Sequence, residues 1–94
     1  MSKLHFTSHA LARMFERRIS PRDCESVLLS GVVVEKYPDD EPFPSELHLG
    51  FVNGRPIHLV VSFDDETAHI ITAYEPVKEL WEEGFRMRRR KKDD

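Results

Sequence analysis

Leu47-His48-Leu49-Gly50-Phe51-Val52-Asn53-Gly54-Arg55-Pro56-Ile57-His58-Leu59-Val60-Val61-Ser62-Phe63 decides the fold of this chain. Its first half alternates, with Leu47, Leu49 and Phe51 on one side and His48 on the other. Its second half sets Ile57, Leu59, Val61 and Phe63 against His58, Val60 and Ser62, the period of two that belongs to strands. Asn53-Gly54 between them is a hairpin signal. A two-residue loop puts Leu49 opposite His58 and mixes the faces. A three-residue loop over Val52-Asn53-Gly54 pairs Leu49 with Ile57 and Leu47 with Leu59, keeps each face uniform, and is the register expected. It sets His48 across from His58 on the face away from the aliphatic set.

Two more strands flank this pair. Val32 to Tyr37 is rich in β-branched residues and is ended by Pro38, after which Asp39 to Pro44 reads as an acidic, proline-containing loop. Ala68 to Tyr74 follows the turn Asp65-Glu66-Thr67, and a three-residue loop there brings Tyr74 opposite His58 and Thr72 opposite Val60. One sheet face would then gather His48, His58, Thr72 and Tyr74, an arrangement that also fits an ordinary half-solvated face.

Before the strands come two short helices. In Thr7 to Ser20, Ala10, Leu11, Met14 and Phe15 form one stripe while His9, Arg13, Glu16 and Arg17 cluster opposite, with Thr7 or Ser8 as N-cap. That polar row offers an imidazole and two forked guanidiniums to a phosphate or carboxylate, although most such polar stripes are simply solvated. Ser20-Pro21 starts the second helix, whose apolar residues are Cys24, Val27 and Leu28, and Ser30-Gly31 ends it as a glycine stop. The expected fold is α+β: two N-terminal helices packed on a four-stranded, mainly antiparallel sheet, with a C-terminal arm or short helix. Residues 1–85 read as one domain and 86–94 as a basic tail.

Composition bounds the function. A chain of 94 residues with 39% apolar and 33% charged side chains reads as one soluble domain. No run approaches the roughly 20 apolar residues that span a bilayer, and Met1 to Phe6 lacks the apolar region of a secretory signal. The single cysteine, Cys24, allows no internal disulfide, so a cytoplasmic setting is expected, with Cys24 a small buried hydrophobe. Net charge is −3, unevenly spread. Residues 1–31 hold five Lys/Arg against three Asp/Glu, residues 32–82 three against eleven, and residues 83–94 six against three. Basic ends around an acidic middle suit RNA binding through the ends.

Zinc and nucleotide motifs are missing, and the acids of Asp39-Asp40-Glu41 and Asp64-Asp65-Glu66 fall in turns, so neither metal nor cofactor is expected. What remains is acid–base chemistry on a phosphodiester. His9 would act as base or acid, Arg13 and Arg17 as a phosphate clamp, and His58 or Tyr74 as the second proton-transfer group. Val77, Leu80, Trp81 and Phe85 sit at helical spacing in an arm that pins Trp81 to the body. Beyond it, Arg86 to Lys92, with Arg88 and Arg89 at its centre, is a cationic run suited to a phosphodiester backbone.

Ser8-His9-Ala10-Leu11 with Arg13-Met14, Glu16-Arg17-Arg18-Ile19-Ser20, Asn53-Gly54-Arg55-Pro56-Ile57-His58-Leu59-Val60-Val61 and Ile71-Thr72-Ala73-Tyr74-Glu75-Pro76 with Trp81 together resemble the family catalogued as domain of unknown function 4258. The resemblance implies a fold like that of RelE-type toxins, barnase and colicin-type ribonucleases. It implies a metal-independent ribonuclease, a toxin held in check by a neutralising partner protein, with His9, Arg17, Thr72 and Tyr74 at the matching positions. It also marks a departure: the family pattern has glycine where this chain has Arg18, which costs about 1 kcal/mol if that residue is left-handed. The alternatives are a non-catalytic module that holds RNA or protein, and a chain that is a monomer or weak homodimer pairing through its sheet edge or Trp81 arm.

Overall fold

The computed structural model describes residues 3–89. The elements in order are β1 (Lys3–Phe6), α1 (Ser8–Arg17), α2 (Pro21–Ser30), β2 (Val32–Tyr37), β3 (Ser45–Val52), β4 (Arg55–Asp64) and β5 (Thr67–Tyr74). The sheet has five strands in the order β1-β5-β4-β3-β2. This corrects the expected four-stranded, mainly antiparallel sheet, because β1 adds a parallel pair on β5, from Lys3 opposite Thr67 to Phe6 opposite Ile70. The four residues of β1 are too few for alternation to announce a strand. Leu4 and Phe6 nevertheless pack against the core, and β5 offers an edge to extend.

Both helices cover one face. Ala10 and Met14 of α1, Ile19 of the turn, and Cys24 and Val27 of α2 are buried against Ile57, Leu59 and Val61 of β4 and Ala68, Ile70 and Ala73 of β5. Each large aliphatic side chain so buried contributes about 1.5–3 kcal/mol. The expected apolar stripe of α1 is only half right. Leu11 remains 45% and Phe15 87% exposed, on the side of the helix away from the sheet.

Caps set where the helices begin and end. Thr7 accepts from the Ala10 N–H, and Ser20 with Asp23 forms a reciprocal capping box. Arg18 is left-handed, at φ 57° and ψ 43°, and turns the chain so that the Ile19 N–H reaches the Met14 carbonyl at 2.9 Å. An L side chain is strained there. Arg18→Gly is therefore expected to raise stability by up to about 1 kcal/mol, read as a higher urea midpoint at unchanged slope. Gly31 is different: at φ −83° it is ordinary extended backbone, and glycine is required for space instead. A Cβ at Gly31 would run into the Leu49 carbonyl and lie 2.5 Å from the Val27 carbonyl oxygen.

The hairpin register is the second correction. Val52 pairs with Arg55, so the loop is Asn53-Gly54 alone, with φ of 52° and 78°, and Leu49 lies opposite His58. Leu47 and Leu49 consequently point away from the helices, while His48 shares the helix-side face with Leu59. The mixed faces are tolerated because the far side of the sheet is covered too, by residues after Pro76. The β4–β5 pairs His58 with Tyr74 and Val60 with Thr72 are those expected, by a different route. The turn has two residues, Asp65-Glu66, and a bulge between Val60 and Val61 supplies the extra residue.

Candidate functional site

The far face of the sheet carries Leu47, Leu49, His58, Val60, Thr72 and Tyr74. Over it runs an arm that is neither a helix nor a free tail. Gly84 and Phe85 take positive φ, the Glu82 N–H bonds the Met87 carbonyl at 2.7 Å, and the Arg89 N–H bonds the Leu80 carbonyl at 2.8 Å. The arm is thus a small hairpin, with Trp81 bridged to Arg88. Arg86 to Arg89 form part of it, and Arg90, Lys91 and Lys92 of the cationic run lie outside the described residues.

His58 holds this hairpin down. It is fully buried, with the Trp81 ring edge-on at a centroid distance of 4.4 Å and the Tyr74 ring at 5.3 Å. Its Nε2 is 2.8 Å from the Phe85 carbonyl oxygen, and since a carbonyl only accepts, Nε2 carries the proton. Nδ1 is then a lone pair facing the Tyr74 hydroxyl, which donates to it at 3.3 Å. Burial pushes the His58 pKa down, against a smaller upward pull from the Phe85 bond. Burial pushes that of Tyr74 up, helped by Tyr37 and opposed by Arg88 and Arg17. The result is a neutral imidazole behind a neutral phenol.

Tyr74 opens onto two adjoining hollows that share Trp81 and Arg88. The larger, about 560 Å³, also reaches Arg17, Arg55 and Glu75. The smaller, about 340 Å³, reaches Glu35, Tyr37, Arg86 and Met87. The guanidinium of Arg17 donates to the Ala73 carbonyl at 3.0 Å and lies 3.5 Å from Thr72 Oγ1, along the part of the β5 edge that β1 does not reach. Arg88 lies over the Trp81 ring, 5.7 Å from its centroid. Two cations thus flank a hydroxyl that is backed by a hydrogen-bond acceptor, which is a geometry for binding an anion and moving a proton.

Of the residues expected from the sequence, Arg17, His58, Thr72, Tyr74 and Arg88 meet here. His9 does not line either hollow. It is exposed in the first turn of α1, about 12 Å along the helix axis from Arg17. Arg13 is paired with Glu16 at 2.7 Å, and Arg89 is tied to the Lys78 carbonyl and to Glu82. His48 is bonded to Glu46 on the opposite face. Sequence reasoning missed Arg55, which pairs with Glu75 at 2.7 Å and donates to the carbonyls of Arg17 and Arg18 at the end of α1. Its place directly after Asn53-Gly54 was the available signal, because that turn aims the first residue of β4 at the helix end.

The Cys24 thiol is buried, and burial, with Asp23 beside it, pushes its pKa up to about 12, so it is no nucleophile. Among the described residues no three His, Cys, Asp or Glu side chains are grouped to hold a metal. No helix among them is long and apolar enough to cross a membrane.

Residues 6–75 match the family described as "Domain of unknown function (DUF4258)". No curated protein and no solved structure matches the chain. The family match stops where the arm begins.

Proposed function

Because the chain belongs to the DUF4258 family, whose description carries no activity, its chemistry rests on its own side chains, and we propose that the Tyr74 groove binds RNA and cleaves it without a metal. The observation that carries this reading is the Tyr74 hydroxyl, set between Arg17 and Arg88 with the lone pair of His58 behind it. Arg17 and Arg88 would hold the scissile phosphate and neutralise the charge that grows on it. The attacking 2′-hydroxyl would give its proton to Tyr74 as Tyr74 passes its own to His58 Nδ1. The Phe85 carbonyl, already bonded to Nε2, would steady the imidazolium so formed. The 2′-oxygen bonds phosphorus, the bond to the 5′-oxygen breaks, and that oxygen takes a proton from water, leaving a 2′,3′-cyclic phosphate. Neutral His58 is the competent form, so cleavage should rise with pH through its lowered pKa and then level off.

Tightly induced expression in a bacterial host, followed by growth and total-RNA integrity, tests the reading and includes cleavage that depends on the ribosome. Tyr74→Phe, which keeps the ring and removes only the hydroxyl, is expected to cut cleavage at least about 100-fold. His9→Ala should cleave like the native chain. Intact RNA with the native chain at equal soluble level favours the second reading, an RNA-holding module. Arg88→Ala should then weaken binding and lower the salt dependence by about one phosphate contact.

A further inference from the structure

A third hollow is lined by none of the residues that line the two beside Tyr74. It has a volume of about 560 Å³ between α1 and α2, and its floor and walls include Leu11, Met14, Phe15, Ile19 and Pro21. Phe15 stands 87% exposed beside it, an aromatic ring left in water with no packing role in its own fold. Arg18 lines the hollow, and Arg22 projects from the first turn of α2 next to Pro21. Neither guanidinium has a partner among the described residues, whereas Arg13, Arg17 and Arg55 are all engaged. An occupant must therefore bring an apolar side chain flanked by carboxylates.

One segment of this chain has that character. The loop after β2, Pro38-Asp39-Asp40-Glu41-Pro42-Phe43-Pro44, is exposed throughout and holds Phe43 45% open. Asp40 is bonded to Ser45, while Asp39 and Glu41 have no partner among the described residues. The loop cannot fill its own chain's hollow. Arg55 ties the α1–α2 turn to the Asn53-Gly54 end of the strands, and Tyr37 opposite Ser45 puts the loop at the other end. We propose that loop 38–44 of a second copy docks in the α1–α2 hollow, with Phe43 beside Phe15 and Asp39 and Glu41 facing Arg18 and Arg22. Two copies lying antiparallel make the contact twice and close into a two-fold pair.

Sedimentation across the micromolar range tests this. The native chain should pass from monomer to dimer, with dissociation favoured by salt because opposite charges contribute to the contact. Phe43→Ser and Phe15→Ser each change an exposed side chain, so both variants should keep the native melting curve yet weaken the dimer at least about tenfold. The sharper measurement mixes them. A Phe43→Ser copy keeps its hollow and a Phe15→Ser copy keeps its loop, so the mixed pair retains one intact contact and should form more tightly than either variant with itself. Labelled-chain anisotropy reads the difference. A native chain that stays monomeric throughout, or mixed pairs no tighter than the variants alone, overturns the proposal.

Discussion

Gly31→Ala is expected to destabilise the fold by about 3 kcal/mol, the upper end of what overpacking a single methyl costs. The reason is what the methyl would meet. At most sites a crowded Cβ pushes aside the end of a flexible side chain. Here it meets the carbonyls of Leu49 and Val27. The Leu49 carbonyl belongs to a central strand paired on both sides, and the Val27 carbonyl accepts the N–H of Gly31 itself at 2.8 Å. Neither can retreat without loosening the join between α2 and β3. For a domain of this size each kcal/mol lowers the melting temperature by about 4–8 °C, so the shift is easily read in a thermal scan. Gly50→Ala is the companion measurement. Its Cβ would lie 2.9 Å from a Val27 side-chain methyl and 3.0 Å from the Val27 Cα, a softer collision that should cost less. A Gly31→Ala variant as stable as the native chain would show that α2 does not approach β3 so closely.

His58→Ala is expected to cost a similar amount, about 3 kcal/mol, and to free the arm at the same time. It removes a fully buried ring, opens a cavity beneath Trp81, and leaves the Phe85 carbonyl and the Tyr74 hydroxyl without their partner. Trp81 fluorescence should shift to the red as its indole meets water. The substitution should also remove a pH dependence. His58 is neutral when folded and its pKa is lowered, so on acidification the unfolded chain takes up this proton first. The stability it contributes is complete above the unfolded value, about 6.5, and is lost as pH falls from there through the folded value. Each tenfold difference in proton affinity between the two states is worth about 1.4 kcal/mol. The native chain and the His58→Ala variant should therefore converge in stability as pH drops from 7 to 5, in matched urea titrations. A constant gap between them would mean that His58 is protonated alike in both states.

The same histidine shows what the sequence could and could not disclose. Its pairing with Tyr74 follows from the sequence only because two departures cancel: the turn is Asp65-Glu66 rather than three residues, and the bulge beside Val60 and Val61 restores the offset. The Asn53-Gly54 hairpin misleads for a physical reason. Choosing the register that keeps faces uniform assumes that only one face is buried. Here the arm buries Leu47 and Leu49 on the far side, so the preference of Asn-Gly for a two-residue turn decides. Trp81 is legible as an anchor, but the hairpin around it depends on backbone bonds between residues 80 and 89 that leave no periodic trace. The left-handed Arg18 is visible only as a departure from a family pattern. Arg17 follows from the charge on its helix, whereas His9, from the same row, lies about two turns back along α1 from Arg17 and so away from the groove.

The parallel strand at the start of the chain governs how the molecule comes into being. His5 and His69 are neighbours across the sheet although 64 residues separate them along the backbone. Helices and hairpins can form from residues close together, but β1 has no neighbour until β5 exists. On a ribosome adding about 5–20 residues each second, the first strand waits for roughly 3–13 seconds after it is made. Its closure also carries the entropy of a loop that spans most of the chain. Joining β1 to β5 is therefore expected to come late and, as a non-local contact, to slow folding, and a truncation before Thr67 leaves Leu4 and Phe6 with no strand to lie against.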